Sequence, residues 1–413
     1  MINDIRMFRR LPHPLGLLIA TQFAFNVGFY LVVPFLAAYL EDDLGLAVVL
    51  IGIILGLRTF SQQGLFFLGG ALSDWLGIKP VLLVGIGIRV VGFATLAATR
   101  ELLWIVVGVV LIGLAAALFS PASESAIMGL ARTTAAAGGP PRTQVLSLQQ
   151  VFSQAGSAVG PALGGIVLFV PFQTTCLIAA GLFAIIGVIH AIWLPARMRV
   201  GARTNLAQSF RLVFRNRRFL AFAALNLVQL IAYNQMYLAL PVEIHRSQDD
   251  SATITWYFLL ASALVITTQS SLTRAMDRLS TTRVFRLAHL CTAAAFLVIA
   301  AVAWVPSPGG VFGALPKVLF VVLLHVGFMA VQPRARDTVG HLSRESQLGA
   351  HMGVMSSIGG LAVLVTGAPI GALLEWARVP GPLAVAPWVA LAVLALIVVG
   401  ASGRVLRWVE QDH

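Results

Sequence analysis

The chain has 413 residues, of which 58% are hydrophobic and 11% are charged, and its formal net charge is +12. With a mean hydropathy of +0.90, this composition excludes an ordinary water-soluble domain, which needs a charged surface. The positive charge does not indicate a nucleic-acid partner, because most Lys and Arg residues lie in short segments between long apolar runs. The composition therefore predicts a polytopic membrane protein.

About twelve apolar runs are long enough to cross a bilayer as helices. The first follows a tail with Arg6, Arg9 and Arg10, and it is too long for a cleavable signal core, so we expect a retained span. The runs lie near 14–40, 47–72, 80–99, 102–128, 144–170, 173–194, 219–240, 253–275, 284–305, 316–335, 348–375 and 383–403. The positive-inside rule then predicts a multi-pass protein of the cell (plasma or inner) membrane with both termini cytoplasmic.

The basic segment 196–218 divides the chain into two predicted six-span halves, 1–195 and 219–413. We expect this segment to be a linker that lies on the membrane surface against anionic lipid headgroups. The halves resemble each other weakly: "ALSDWLG" resembles "RAMDRLS", "FSPASES" resembles "VQPRARD", and "GPALGG" resembles "GAPIGA". Because these matches occur in the same order, they predict a duplicated unit, which is typical of secondary transporters. The predicted fold class is all-α, with twelve transmembrane helices in two six-helix halves.

The segment "GGALSDWLGIKP" forms the predicted turn between the second and third spans and contains Gly70, Asp74, Gly77 and Lys79. Glycines suit a sharp turn and a close approach of helices. Asp74, like its counterpart Asp277 in the second half, is placed either to cap a helix or to pair with a basic group of the opposite half. The second alternative would make this loop a conformational latch.

This segment resembles the signature loop of the major facilitator superfamily. In the fifth span, "GSAVGPALGG" is similar to the motif of that superfamily's proton-driven antiporters. The matching residues are Gly156, Gly160, Pro161, Gly164 and Gly165. Glycines at this spacing allow close helix packing, and a proline bends the helix.

Residues 50–100, which include "GLRTFSQQGLFFLGGALSDWLGIKP", resemble the MdtH-type multidrug exporters within that superfamily. The resemblance implies a secondary active transporter that exports hydrophobic or amphipathic compounds, drugs among them, by proton antiport through alternating access. The chain departs from the pattern of many such antiporters at two places. Val109 stands four residues before Gly113 where they have an arginine, and the interior of the first span has no acidic residue.

Ionisable side chains inside the spans are the first candidates for function, because a central charge costs about 2.5–3.5 kcal/mol on insertion scales. Arg58 and Arg89 each have two possible roles. Each is either a structural arginine or a functional group that contacts substrate or takes part in a proton relay. Glu124 is the first candidate for a proton carrier and Asp74 the second, with a capping or interface role as the alternative. His325 is either a titrating group or a hydrogen-bonded helix contact.

Polar side chains recur at steps of three or four residues in the first and seventh spans, which indicates faces that line a cavity. Gln62 lies one turn after Arg58. The predicted substrate-binding residues are Gln22, Asn26, Tyr30, Arg58, Gln62, Asn226, Gln229, Tyr233, Tyr237 and His325. Such a lining suits a bulky, mostly hydrophobic ligand, whereas hydrogen bonding between helices is the alternative.

Other functions stay open at this point. An exporter dedicated to one endogenous metabolite or lipid would share the fold, and an acidic cargo would favour Arg58. A multipass membrane enzyme is less favoured, because the sequence contains no P-loop, HExxH or GxSxG motif, and no channel filter sequence appears. Cys176 and Cys291 show neither disulfide nor metal-site spacing. We therefore predict no enzyme activity, no cofactor and no metal, with a small-molecule substrate, protons and membrane lipids as partners of a monomer.

Overall fold

The computed structural model describes residues 7–8, 11–167, 170–195, 206–247, 249, 253–308, 310–343 and 348–410. Within these ranges the regular secondary structure consists of helices. Residues 196–205, the first part of the predicted surface linker, lie outside them.

The first part of the chain folds into long helices joined by short turns. They are α1 (His13–Tyr30), α2 (Val48–Thr59), α3 (Phe66–Leu76), α4 (Ile78–Ala98), α5 (Leu102–Ala136), α6 (Arg142–Val167) and α7 (Phe172–Trp193). Shorter helical turns, Val33–Phe35, Leu36–Ala38 and Tyr39–Asp43, continue α1. The π-helical turn Phe60–Gly64 leads from α2 towards α3.

The second part of the chain repeats this plan after a short helix. Its helices are α8 (Leu206–Arg215), α9 (Arg217–Asn234), α10 (Ala239–Arg246), α11 (Ile254–Met276), α12 (Thr281–Ala300), α13 (Gly310–Leu342), α14 (Leu348–Trp376) and α15 (Ala386–Glu410). Pro121 of α5 and Pro161 of α6 lie inside helices, as do their counterparts Pro333 of α13 and Pro369 of α14. The repeated prolines therefore occupy matching helices of the two parts.

Ten segments of the described residues are long and apolar enough to cross a membrane, judged by length and composition alone. The two other predicted spans correspond to α6 and α11, which have 26 and 23 residues but fall short of that criterion. The predicted all-helical membrane fold is confirmed. The count of twelve spans stays a prediction.

The chain divides into two compact units, each held together by its own packed helices. Unit 1 comprises Met1–Val33 and Ser61–Asn205, and unit 2 comprises Pro34–Phe60 and Leu206–His413. Segment 34–60, which includes α2, therefore packs with the second part of the chain. The boundaries of the two six-helix halves predicted from the sequence stay a prediction.

The core of unit 1 is a group of phenylalanines from α1, α4, α5 and α7. The Phe25 ring stacks on Phe119 with 4.1 Å between ring centres and meets Phe183 edge-on at 5.1 Å. Phe93 stacks on Phe183 at 5.6 Å. Because aromatic pairs add about 0.5–1.5 kcal/mol beyond the area that they bury, these contacts hold the four helices together.

In unit 2, α2 and α14 approach so closely that glycines lie at the contact. A Cβ atom on Gly52 would collide with the carbonyl oxygen of Gly367, and one on Gly371 would collide with main-chain atoms of Val48. Glycines allow such main-chain packing where the surroundings are apolar. At the start of α2, the amide of Val48 donates a hydrogen bond to Glu375 Oε1 at 2.6 Å. A carboxylate is favourable there because the first N–H groups of a helix lack partners within it.

The substitution Gly52→Ala is expected to destabilise unit 2 by about 1–3 kcal/mol, because the added methyl group separates α2 from α14. Gly181→Ala is the matched control, since Gly181 lies inside α7 and a Cβ atom there has nothing within 4 Å. Alanine is also a better helix former than glycine, so the control variant is not expected to lose stability. The midpoint of thermal unfolding in detergent measures both variants, and an equal midpoint for the two would contradict the close contact.

Candidate functional site

Arg58 is buried at the end of α2, with 5% of its surface exposed. Its guanidinium carbon lies 5.3 Å from the ring centre of Tyr237, which follows α9. Nη2 donates a hydrogen bond to Thr59 Oγ1 at 3.2 Å, and Thr59 in turn donates to Asn234 Oδ1 at 3.1 Å. A cation–π contact and a chain of hydrogen bonds thus hold the arginine beside the end of α9.

Tyr237, the ring beside this arginine, belongs to a series of ring contacts in unit 2, and its ring centre lies 6.2 Å from that of Tyr233. The Tyr233 ring stacks on Phe328 at 4.7 Å and meets the His325 ring edge-on at 5.6 Å. The ring centre of Tyr237 lies 5.4 Å from that of Phe258. We name as the aromatic cluster Arg58, Tyr233, Tyr237, Phe258, His325 and Phe328. Tyr233 and Phe328 are half-buried, so the cluster reaches accessible surface through these two rings.

Two histidines of unit 2 make the same contact with their own helices. Nδ1 of His325 lies 2.9 Å from the carbonyl oxygen of Val321, and Nδ1 of His289 lies 2.8 Å from that of Phe285. Both contacts fit the tautomer that carries its proton on Nδ1 and leaves Nε2 as an acceptor. His325 is therefore a hydrogen-bonded helix contact, as one alternative predicted, and also a member of the aromatic cluster.

The polar stripe predicted on α9 has two parts. Asn226 Nδ2 lies 3.6 Å from the sulfur of Met355, and Gln229 Nε2 lies 3.4 Å from His289 Nε2. These amides contact neighbouring helices, as the alternative of interhelical hydrogen bonding predicted. The two tyrosines further along the stripe belong to the aromatic cluster.

Arg89 of α4 is fully enclosed in unit 1, with 0% of its surface exposed. Its guanidinium carbon lies 3.9 Å from the ring centre of Phe25 and 5.0 Å from that of Phe183. Nη2 donates a hydrogen bond to the carbonyl oxygen of Ile112 at 3.3 Å. The main-chain hydrogen bond fits the structural alternative, in which an arginine inside a span is bonded to main-chain carbonyls, and the rings add cation–π contacts that the sequence did not indicate.

Arg89→Ala is expected to lower the free energy of unfolding by about 3 kcal/mol, because it leaves a cavity among the phenylalanines. Arg89→Met fills a similar volume and is expected to cost at most about 1 kcal/mol. Thermal unfolding of the two purified variants measures the difference. Equal losses for alanine and methionine would contradict a packing role and indicate that the charge itself is required.

The glycine motif of α6 packs directly against α1. A Cβ atom on Gly156 would come within 2.9 Å of Asn26 Cβ, and one on Gly160 would come within 2.6 Å of Tyr30 Cβ. Asn26 also donates hydrogen bonds from Nδ2 to Oγ of Ser153 at 2.7 Å and to its carbonyl oxygen at 3.0 Å. The rest of the motif follows in the same helix as Pro161, Gly164 and Gly165. The close helix approach expected of the motif glycines is present at Gly156 and Gly160, and a role of the motif in antiport stays a prediction.

The glycines of the loop between α3 and α4 have different roles. Gly77 has a φ of +93°, a conformation that favours glycine, and it turns the chain from α3 into α4. The expectation that Gly70 allows a close helix approach is wrong, because a Cβ atom on Gly70 would have open space around it. That approach is made by Gly69, whose Cβ would collide with the carbonyl oxygen of Ala117 in α5.

Lys79 binds the end of a helix of its own unit. Its ammonium group donates hydrogen bonds to the carbonyl oxygens of Ala191 and Leu194, both at 2.7 Å, where α7 ends. A cation is favourable there because the last carbonyls of a helix lack partners within it. The side chain of Asp74 lies outside the described residues, so the latch stays a prediction.

Asp277, the counterpart of Asp74, lies at the end of α11 with its side chain 61% exposed. Its carboxylate is 3.6 Å from Nη2 of Arg334 in α13, which also donates to the main-chain oxygen of Asp277 at 3.1 Å. The arginine therefore ties α13 to the turn after α11 within unit 2. An exposed ion pair of this kind contributes little to stability.

The remaining predicted site residues differ in their exposure. Glu124 is exposed on α5 in unit 1, whereas Gln22, Tyr30 and Gln62 are half-buried. The proton-carrying role of Glu124 and the substrate contacts of the other three residues stay predictions.

The structure also contains polar pairs that sequence analysis missed. Thr59 and Asn234 are 175 residues apart, so no local spacing could indicate their hydrogen bond. Glu243 and Arg246 form an ion pair in α10, with 2.6 Å between Oε1 and Nη2 and 2.9 Å between Oε2 and Nε. Both side chains are 2% exposed. The sequence did contain a signal for this pair, because residues three positions apart in a helix are neighbours on its surface.

Comparison with known proteins identifies the family. The sequence profile described as Major Facilitator Superfamily matches residues 18–367. The chain belongs to the major facilitator superfamily and is a multi-pass membrane transporter. An uncharacterized MFS-type transporter of Mycobacterium tuberculosis (strain ATCC 25618 / H37Rv) is 33% identical over 377 residues, which cover 90% of this chain and 88% of the relative. The multidrug resistance protein MdtH of Shigella sonnei is 28% identical over 383 residues, which cover 91% of this chain and 90% of that relative.

Solved structures with the same fold are also transporters. The crystal structure of the nucleoside transporter NupG has a TM-score of 0.78 at 14% identity and covers 96% of this chain and 99% of its own. At this identity the likeness shows the fold alone. Membership of the major facilitator superfamily establishes a transporter of small molecules rather than an enzyme.

Proposed function

We propose that the chain exports hydrophobic or amphipathic compounds, drugs among them, in exchange for protons by alternating access. The observation that carries this proposal is the aromatic cluster, which combines stacked rings with a buried guanidinium and tyrosine hydroxyls. Such a set of side chains suits a bulky, mostly apolar ligand that also has a polar group. The relatives named multidrug resistance protein MdtH support the same class of cargo.

A second candidate is an exporter dedicated to one endogenous metabolite or lipid with an acidic group. Arg58 favours it, because a guanidinium binds carboxylates and phosphates strongly. The same positive charge disfavours a transporter dedicated to cations.

For the proton step, Glu124 is our first candidate carrier and Asp74 the second. Glu124 is an acidic residue on a membrane-spanning helix, and ionisable side chains within such helices are candidates for proton relays. The ring contacts of Arg89 favour a structural role for that residue, which leaves Arg58 as the arginine that acts on substrate. We further propose that the protein is a monomer of the plasma or inner membrane with both termini cytoplasmic.

The proposal is tested in sealed proteoliposomes with an imposed proton gradient. Uptake of an amphipathic fluorescent dye and the internal pH are followed together for the wild type and for Glu124→Gln. The matched control is Glu101→Gln, which removes the same charge from an exposed position just before α5. We expect gradient-driven dye movement in the wild type and the control, and its loss in Glu124→Gln.

Each other outcome changes the account in a defined way. Coupled movement that survives Glu124→Gln excludes Glu124 as the carrier and moves the test to Asp74→Asn. Dye movement by the wild type without any proton movement contradicts antiport. Absence of dye movement in vesicles that contain folded protein contradicts export of this class of compound and favours the endogenous cargo.

A further inference from the structure

A groove with three arginines lies between α12 and α15 in unit 2. It has a volume of about 420 Å³. Its lining includes Arg286 of α12 and, on α15, Ile397, Gly400, Gly403, Arg404 and Arg407. The three arginine side chains are exposed. The groove lies where α12 begins and α15 ends, so it is at one end of two membrane-spanning helices.

Two glycines of α15 make room for the groove. A Cβ atom on Gly403 would collide with Nη2 of Arg286, so this guanidinium lies directly against the main chain of α15. A Cβ atom on Gly400 has nothing within 4 Å, which leaves open space beside the arginines. Nε of Arg407 donates a hydrogen bond to the carbonyl oxygen of Gly403 at 2.7 Å. This bond holds the Arg407 guanidinium beside the groove.

The charge of the groove defines the chemistry of its ligand. Among the residues that the structure describes, its lining contains arginines, glycines and apolar residues and no acidic side chain. Guanidinium groups bind phosphate oxygens in a bidentate geometry, and several arginines around one cavity match an anion with several oxygens.

Apolar side chains extend the groove along both helices. Ile397, Gly400, Arg404 and Arg407 recur along α15 at steps of three and four residues, so they share one face of that helix. Exposed apolar residues follow Arg286 along α12, at Leu287 and Leu290, and precede Gly400 along α15, at Val393 and Ile397. Trp408 is also exposed at this end of α15, and tryptophans are enriched at membrane interfaces.

We propose that this arginine groove binds an anionic phospholipid. The phosphate of the headgroup lies among the three guanidinium groups, and an acyl chain follows the apolar residues of α12 and α15. Basic pockets between helices at the membrane surface are a known means of lipid recognition. The inference does not depend on the transported substrate.

The test uses the purified full-length chain in mixed micelles with equal amounts of phosphatidylglycerol and phosphatidylcholine. Native mass spectrometry counts the lipids that stay bound. We expect the wild type to retain phosphatidylglycerol preferentially. The double variant Arg404→Gln/Arg407→Gln is expected to lose about tenfold in this retention. The matched control, Arg132→Gln/Arg142→Gln, removes the same charge from exposed positions of unit 1 and is expected to behave as the wild type.

Gly400→Leu separates a shaped site from general charge attraction, because it fills the groove without changing any charge. It is expected to lose phosphatidylglycerol as the double arginine variant does. Retention by both groove variants at the wild-type level would overturn the proposal, as would an equal loss in the control variant. Displacement of phosphatidylglycerol by millimolar inorganic phosphate alone would show a site for free anions and would also overturn it.

Discussion

Tyr233→Ala is expected to weaken binding of an amphipathic fluorescent dye about tenfold, whereas Tyr233→Phe stays within about twofold of the wild type. The ring of Tyr233 is half-buried and stacks on Phe328, the other half-buried ring of the aromatic cluster. If Tyr233 contacts the ligand as proposed, removing its ring deletes an aromatic contact with the ligand and leaves Phe328 without its stacking partner. Fluorescence anisotropy of the dye with purified protein measures both affinities.

The phenylalanine variant makes this result specific. If the hydroxyl group of Tyr233 provided the contact, the phenylalanine and alanine variants would bind equally weakly. If the cluster were only a structural core, the alanine variant would unfold at a lower temperature but bind the dye with wild-type affinity. The first result would assign the contact to the hydroxyl group instead of the ring, and the second would contradict the assignment of the aromatic cluster as a substrate contact.

Arg246→Met is expected to lower the free energy of unfolding by about 3–5 kcal/mol, because it leaves the buried carboxylate of Glu243 without its ion-pair partner. The double variant Glu243→Leu/Arg246→Met removes both charges and is expected to recover most of that loss. Arg246 also donates from Nη1 to the carbonyl oxygen of Val305 at 3.1 Å, so the recovery is incomplete. The free energy of unfolding is measured for the wild type, Arg246→Met, Glu243→Leu and the double variant. Together these four values form a double-mutant cycle.

The cycle distinguishes a buried pair from two independent residues. Coupling between the two positions is expected because both oxygens of the carboxylate contact the guanidinium. Additive effects, with the double variant less stable than either single variant, would contradict the pair.

The helices themselves could be predicted from the sequence, because the signals that set them are local. Apolar runs of membrane-spanning length mark the spans, and the prolines of "GPALGG" and "GAPIGA" fall inside α6 and α14. The sequence could also predict that α6 packs closely against another helix, since glycines at short spacing favour close helix contact. The partner helix could not be predicted, because the motif does not contain that information.

The arrangement of the candidate site depends on contacts between distant parts of the chain. Arg58 meets Tyr237 only because segment 34–60 packs with unit 2, and nothing in the local pattern around Arg58 indicates this. Likewise, the rings around Arg89 come from α1 and α7, which are distant from it in sequence. Sequence analysis could thus select the arginines as unusual but could not assign their partners.

The error at Gly70 has a simple geometric cause. Adjacent residues of a helix point about 100° apart, so only one of two neighbouring glycines can face a given partner. The motif pattern selected Gly70, whereas the orientation of α3 places Gly69 against α5.

The most direct test of the proposed exchange is proton movement driven by substrate alone. Sealed proteoliposomes are prepared without a proton gradient and are given an inward gradient of the amphipathic dye. Coupled antiport predicts that dye entry drives protons outward, so the vesicle interior becomes alkaline until the dye gradient is spent. Dye entry at a wild-type rate with no change of internal pH would contradict the account.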